Sequence, residues 1–75
     1  MKKIIIDVDA AISKHNEKSD KKLNREKLSK KLGLSYQSVM NYQLGRVPVI
    51  LETLIKISKI TGTSIDELIK EIKEN

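Results

Sequence analysis

Apolar residues recur along this chain three or four positions apart, and no stretch alternates apolar with polar, so the pattern predicts helices. The most informative window is Asn24 to Gly45, NREKLSKKLGLSYQSVMNYQLG. With Arg25 as its first position, apolar residues fall at four (Leu28), eight (Leu32), ten (Leu34), fifteen (Val39) and eighteen (Tyr42). Position five, where two helix backbones must approach closely, carries the small Ser29, and position nine carries Gly33 at the turn. Met together in one short window, these constraints specify two short helices joined by a tight turn, a helix-turn-helix.

Outside that window the same spacing predicts three further helices and an all-α, five-helix domain spanning residues 1–75. Ile5, Val8, Ile12 and His15 mark a first helix over residues 4–17 that covers the core. A β run at Ile4–Ile6 would be short and without a partner. Lys18-Ser19-Asp20-Lys21-Lys22 is expected to be a flexible, solvated connector over 18–22. Asn24 suits the N-cap of the second helix and Gly33 its end, while Ser35 caps the third helix and Gly45 closes it. After the loop Arg46-Val47-Pro48, a fourth helix is expected from about Val49 or Ile50 to Thr61, burying Leu51, Leu54, Ile55, Ile57 and Ile60 and stopped by Gly62. Ser64 and Glu67 form the pattern of a capping box for a last helix striped by Ile65, Leu68, Ile69 and Ile72.

Composition narrows the chemistry. Seventy-five residues predict one small domain, and the absence of Cys excludes disulfides and thiolate metal sites. His15 is the only histidine, so neither a multi-imidazole zinc site nor a histidine-based triad with an obvious partner is expected. Phe and Trp are absent, which makes the core aliphatic, with Tyr42 as a candidate aromatic insertion. No apolar run approaches the roughly 20 residues of a membrane span, and Asp7 and Asp9 end the opening Ile4–Ile6 run too early for a signal peptide. The expectation is a soluble protein of a reducing cytoplasm. Asp7, Asp9 and Asp20 are scattered without metal-ligand spacing, so an enzyme is the poorest reading and no cofactor is expected.

The net charge of +5 is unevenly spread. Residues 1–46 hold eleven Lys or Arg against five acids, whereas residues 47–75 hold four Lys against five acids. From Lys27 to Val47 there is no acid at all. The positive field is thus expected to centre on the helix-turn-helix, where a polyanion would dock, although a lysine-rich solvated surface alone would carry similar charge.

These residues resemble the lambda-repressor-like (Cro/XRE) helix-turn-helix family. The family pattern stands here as Leu28-Ser29-Lys30-Lys31-Leu32-Gly33-Leu34-Ser35, then Val39, Gln43-Leu44-Gly45, Pro48, Leu54-Ile55-Lys56-Ile57-Ser58 and Thr63-Ser64-Ile65-Asp66-Glu67-Leu68. The resemblance covers roughly residues 23–69 and implies a compact five-helix DNA-binding domain. Departures are Gln43 where the family usually has Glu, Ser29 and Ser58 for the usual Ala, and Pro48 one residue early.

Carried over, the resemblance implies that Tyr36, Gln37 and Asn41 reach base edges from the third helix, with Met40 a weaker candidate. Side-chain amides such as those of Gln37 and Asn41 can bridge adenine N6 and N7 in the major groove, and Tyr36 can meet a thymine methyl or a phosphate. Phosphate contacts are implied for Arg25, Ser38 and Arg46. Lys27, Lys30 and Lys31 add general field, and Lys30 and Lys31 read best as a solvated face. The implied partner is double-stranded DNA with a palindromic operator, bound by a homodimer. Candidate dimer surfaces are the loop at Val47, Val49 and Ile50, and Ile72 at the far end of the last helix; Ile50 as core and Ile72 as cover for the first helix remain alternatives. The chain is expected to be a bacterial or phage repressor, with an antirepressor or a toxin-binding antitoxin of the same fold as the rival. In a chain this short, control is expected through concentration or a protein partner.

Overall fold

In the computed structural model, which describes residues 2–73, the two ends of the chain pair. Strand β1 (Lys2–Ile6) runs antiparallel to strand β2 (Ile69–Lys73), with Lys2 opposite Lys73, Ile4 opposite Glu71 and Ile6 opposite Ile69. Between them lie five helices: α1 (Val8–Lys18), α2 (Arg25–Leu32), α3 (Tyr36–Leu44), α4 (Leu51–Thr61) and the single turn α5 (Ile65–Leu68). The fold is therefore helix-rich but not all-α, because a two-stranded sheet ties its termini together.

The sheet corrects both ends of the helical expectation. Ile4–Ile6 does have a partner, so the first helix starts at Val8 and Ile5 packs from a strand. Asp7 makes the switch: its side chain accepts from Ala10 N to cap α1, and its own N–H donates to the Leu68 carbonyl at the other junction. The last helix ends at Leu68 for the same reason, and Ile69 and Ile72 lie in β2, each more than a third exposed. Ser64 occupies the N-cap of α5 without a side-chain bond, while Glu67 pairs with Lys14 of α1, so the capping box does not form.

The interior middle of the chain follows its pattern. Asn24 caps α2 through Lys27 N, Ser35 caps α3 through Ser38 N, and Gly33 and Gly45 end those helices in the left-handed region. Ile6, Val8, Ala11, Leu28, Leu32, Val39, Tyr42, Leu54, Ile57 and Leu68 form one core, so every element but β2 contributes to it. In α4, Leu54 and Ile57 are buried and Ile60 is half-buried, but Leu51 is 65% exposed and Ile55 also faces solvent. The apolar stripe is thus narrower than expected, and the helix starts at Leu51 with Ile50 as its cap.

Lys18 completes α1, and the connector that follows is tied down: Asn16 exchanges hydrogen bonds with both the N–H and the carbonyl of Leu23, which is itself buried. No helix among the described residues is long and apolar enough to cross a membrane.

Candidate nucleic-acid interface

Ser35, Gly33 and the buried pair Val39 and Tyr42 seat α3 against α2 and leave its other side to solvent. On that side Tyr36 and Gln37 are exposed, while Ser38, Met40 and Asn41 are half-buried. The Gln37 amide donates to the Asn41 Oδ1 at 3.0 Å, so the two amides form a connected unit one helical turn apart. The helix carries no charged side chain. It offers donors and acceptors of both kinds on neutral groups, which suits base edges better than phosphates.

Ser38 is engaged locally: its N–H donates to Ser35 Oγ, and the two hydroxyls are 3.0 Å apart. Arg46 follows the glycine that ends α3, where its N–H closes onto the Asn41 carbonyl and its side chain is exposed. Arg25 is placed beside this face but is not unengaged. Its Nε and one terminal nitrogen meet the two carboxylate oxygens of Asp9 at 2.7 and 2.6 Å, and the other terminal nitrogen lies 3.4 Å from the Tyr36 hydroxyl. Hydrogen bonding to Asp9, then to Tyr36, raises the proton affinity of the guanidinium. Arg25 thus links α1, α2 and the start of α3, a role that residue spacing alone does not reveal.

The departure at Gln43 has a structural reason. Its Oε1 accepts from the Asp9 N–H at 3.0 Å, covering a free donor in the first turn of α1, and its side chain also hydrogen-bonds the Asp7 carboxylate. Burial pushes the Asp7 carboxyl up, but hydrogen bonds from Lys70, Ala10 N and Gln43, with the Lys70 charge, outweigh it and hold the group below the usual carboxylate range. Asp7 therefore stabilises the fold fully above the ordinary carboxylate value of about 3.9 and loses that contribution as pH falls through its lowered folded value. An amide suits this place because a carboxylate there would face Asp7 and Asp9. Gln43→Glu is expected to cost on the order of 1 kcal/mol at neutral pH. The cost should shrink below about pH 4, where the introduced acid protonates. Urea denaturation of both proteins at pH 7 and pH 3.5 checks this; a pH-independent difference would exclude the like-charge explanation.

A groove of about 340 Å³ runs beside α3, lined by Leu34, Ser38, Asn41, Tyr42, Val47, Pro48 and Ile50. Of the candidate dimer contacts, Val49 is half-buried against the core, whereas Ile50 is 53% and Ile72 39% exposed. Ile50 is therefore not a core residue, and Ile72 lies in β2 opposite Lys3 rather than over α1. Among the described residues no three His, Asp or Glu side chains gather as metal ligands.

Sequence reasoning missed Asp9 and Gln43, because their roles depend on α1 crossing the end of α3. A family model for the Cro/C1-type HTH DNA-binding domain matches residues 18–74. No curated protein matches the chain, and no solved structure does.

Proposed function

The chain belongs to the Cro/C1-type helix-turn-helix DNA-binding family, and on that footing we propose that it is a sequence-specific transcriptional repressor, acting as a homodimer on a palindromic operator. The observation that carries this reading is the uncharged, solvent-facing side of α3, where Gln37 and Asn41 are joined by a hydrogen bond. In the bound state Tyr36, Gln37 and Asn41 face base edges in the major groove. Arg46, Ser38 and the part of Arg25 not taken by Asp9 meet the flanking phosphates.

One module of this size touches few base pairs, so discrimination calls for two copies with recognition helices about 34 Å apart. Ile72 favours a second copy at the open edge of β2. An antiparallel β2–β2 pairing centred on Ile72 sets that residue against its symmetry mate and Glu71 against the partner's Lys73. Ile50, with Val49 behind it, offers the second apolar patch. Ile50→Glu and Ile72→Glu are each tested against the parent protein by sedimentation velocity, and the one that lies in the interface is expected to sediment as a monomer. Two unchanged dimers would remove both patches.

Selection of bound duplexes from a random pool, followed by titration at several salt concentrations, tests the function itself. A palindromic consensus is the expected result. A pool without enrichment would instead favour the same fold used to bind a protein, as an antirepressor or an antitoxin.

A further inference from the structure

Among the described residues, ion pairs engage some of the cations and not others. Lys2 pairs with Glu71, Lys14 with Glu67, Arg25 with Asp9, Lys30 with Glu26, Lys56 with Glu52 and Lys70 with Asp7. Lys21, Lys22, Lys27 and Lys31 take part in none of these, and all four line one cleft of about 470 Å³. His15, Ser19, Leu23 and Ile60 complete its walls, and no acid is among them. Lys27 and Lys31 stand one turn apart on α2, on a different side from Arg25, which reaches Asp9 and Tyr36. Lys22 Nζ donates to the Asn16 and Ser19 carbonyls, which offsets the negative end of the α1 dipole where it borders the cleft.

We propose that this cleft is a second DNA-backbone site, which holds phosphates of the duplex flanking the half-site read by α3. The proposal rests on the DNA-binding reading above and adds a separate surface to it. Phosphate is the shared chemistry of a duplex and of a free polyphosphate, and three features favour the duplex. Lys21, Lys27 and Lys31 are on exposed, flexible stems, which act as point charges along a track rather than as forks that fix one anion, with Lys22 anchored between them. Leu23 is the only buried residue of the lining, so no buried polar group is present to orient a small ligand. The cleft also takes in the connector and Lys27 in the first turn of α2, so it borders the helix end at which Arg25 stands on another side.

The test compares the parent protein with Lys21→Gln/Lys27→Gln/Lys31→Gln, which keeps the Lys22 anchor; thermal unfolding checks that the variant is folded. Association is measured across salt concentrations on a selected operator trimmed to its recognised bases and on the same operator with long flanks. The parent is expected to show a steeper salt dependence on the flanked duplex. The variant should lose that increment, about two to three units of log–log slope at about 0.9 per phosphate, with its preference for operator over random DNA unchanged. Equal slopes for parent and variant on the flanked duplex would overturn the proposal and leave the DNA-binding reading intact, as would an equal loss on the trimmed duplex. Saturable binding of inorganic tripolyphosphate that the variant abolishes, with no flank effect, would make it a small-anion site instead. A parent protein that binds neither duplex would overturn both readings.

Discussion

Gly45→Ala is expected to destabilise the protein by about 2–5 kcal/mol, far more than the same change at Gly62. Both glycines sit in the left-handed region, at φ of 70° and 71°, so both substitutions carry the backbone cost of about 1–2 kcal/mol. Only Gly45 is also crowded. A Cβ there would lie 2.5 Å from Lys3 Cδ and 2.9 Å from Ile5 Cγ2, whereas nothing lies within 4 Å of one at Gly62. The lysine stem can swing away, but Ile5 is 6% exposed and held in β1, so its methyl group cannot. Relieving that overlap means shifting β1 away from the end of α3, at about 1–3 kcal/mol. Small domains hold only about 5–15 kcal/mol in total. Urea titration of the two variants decides it: equal losses would show that the contact with β1 carries no weight. The comparison also tests whether the sheet is clamped to α3.

The second large effect is on readout. Gln37→Ala is expected to cost about 1–3 kcal/mol on the selected operator and little on random DNA, because a paired amide discriminates bases without adding general affinity. Arg46→Ala should weaken both duplexes alike and flatten the salt dependence by about 0.9 units per phosphate lost. The hydrogen bond from Gln37 to Asn41 adds a sharper expectation. If the amides act as a unit on DNA, Gln37→Ala and Asn41→Ala will not add, and the double variant will lose less than the sum. Fluorescence anisotropy with operator and random duplexes at several salt concentrations measures these affinities. Equal losses on both duplexes for Gln37→Ala would remove it from base reading.

Much of the middle of the molecule was legible from residue order. Asn24, Ser35, Gly33 and Gly45 act through bonds and dihedral preferences that span only a few positions, so their identities suffice to place the ends of α2 and α3. Leu28, Leu32, Val39 and Tyr42 likewise turn inward because a 3.6-residue period leaves them one shared face. The outer elements were not legible in that way. Ile5, Val8 and Ile12 also fit a helix, and so do Ile65, Leu68 and Ile72, because short apolar runs carry no unique period.

What residue order determined by itself, then, is the helix-turn-helix: its caps, its hinge glycine, its inward face and the uncharged amides it shows to solvent. The tertiary structure alone decided that the chain ends form a sheet, that Asp9 claims part of Arg25, that Gln43 covers the start of α1, and that Lys21, Lys22, Lys27 and Lys31 line one cleft. The physical reason is range. A cap or a helical face is satisfied by neighbours a turn away, whereas a strand needs an edge and a charge needs a counter-charge, and both of those come from distant parts of the chain.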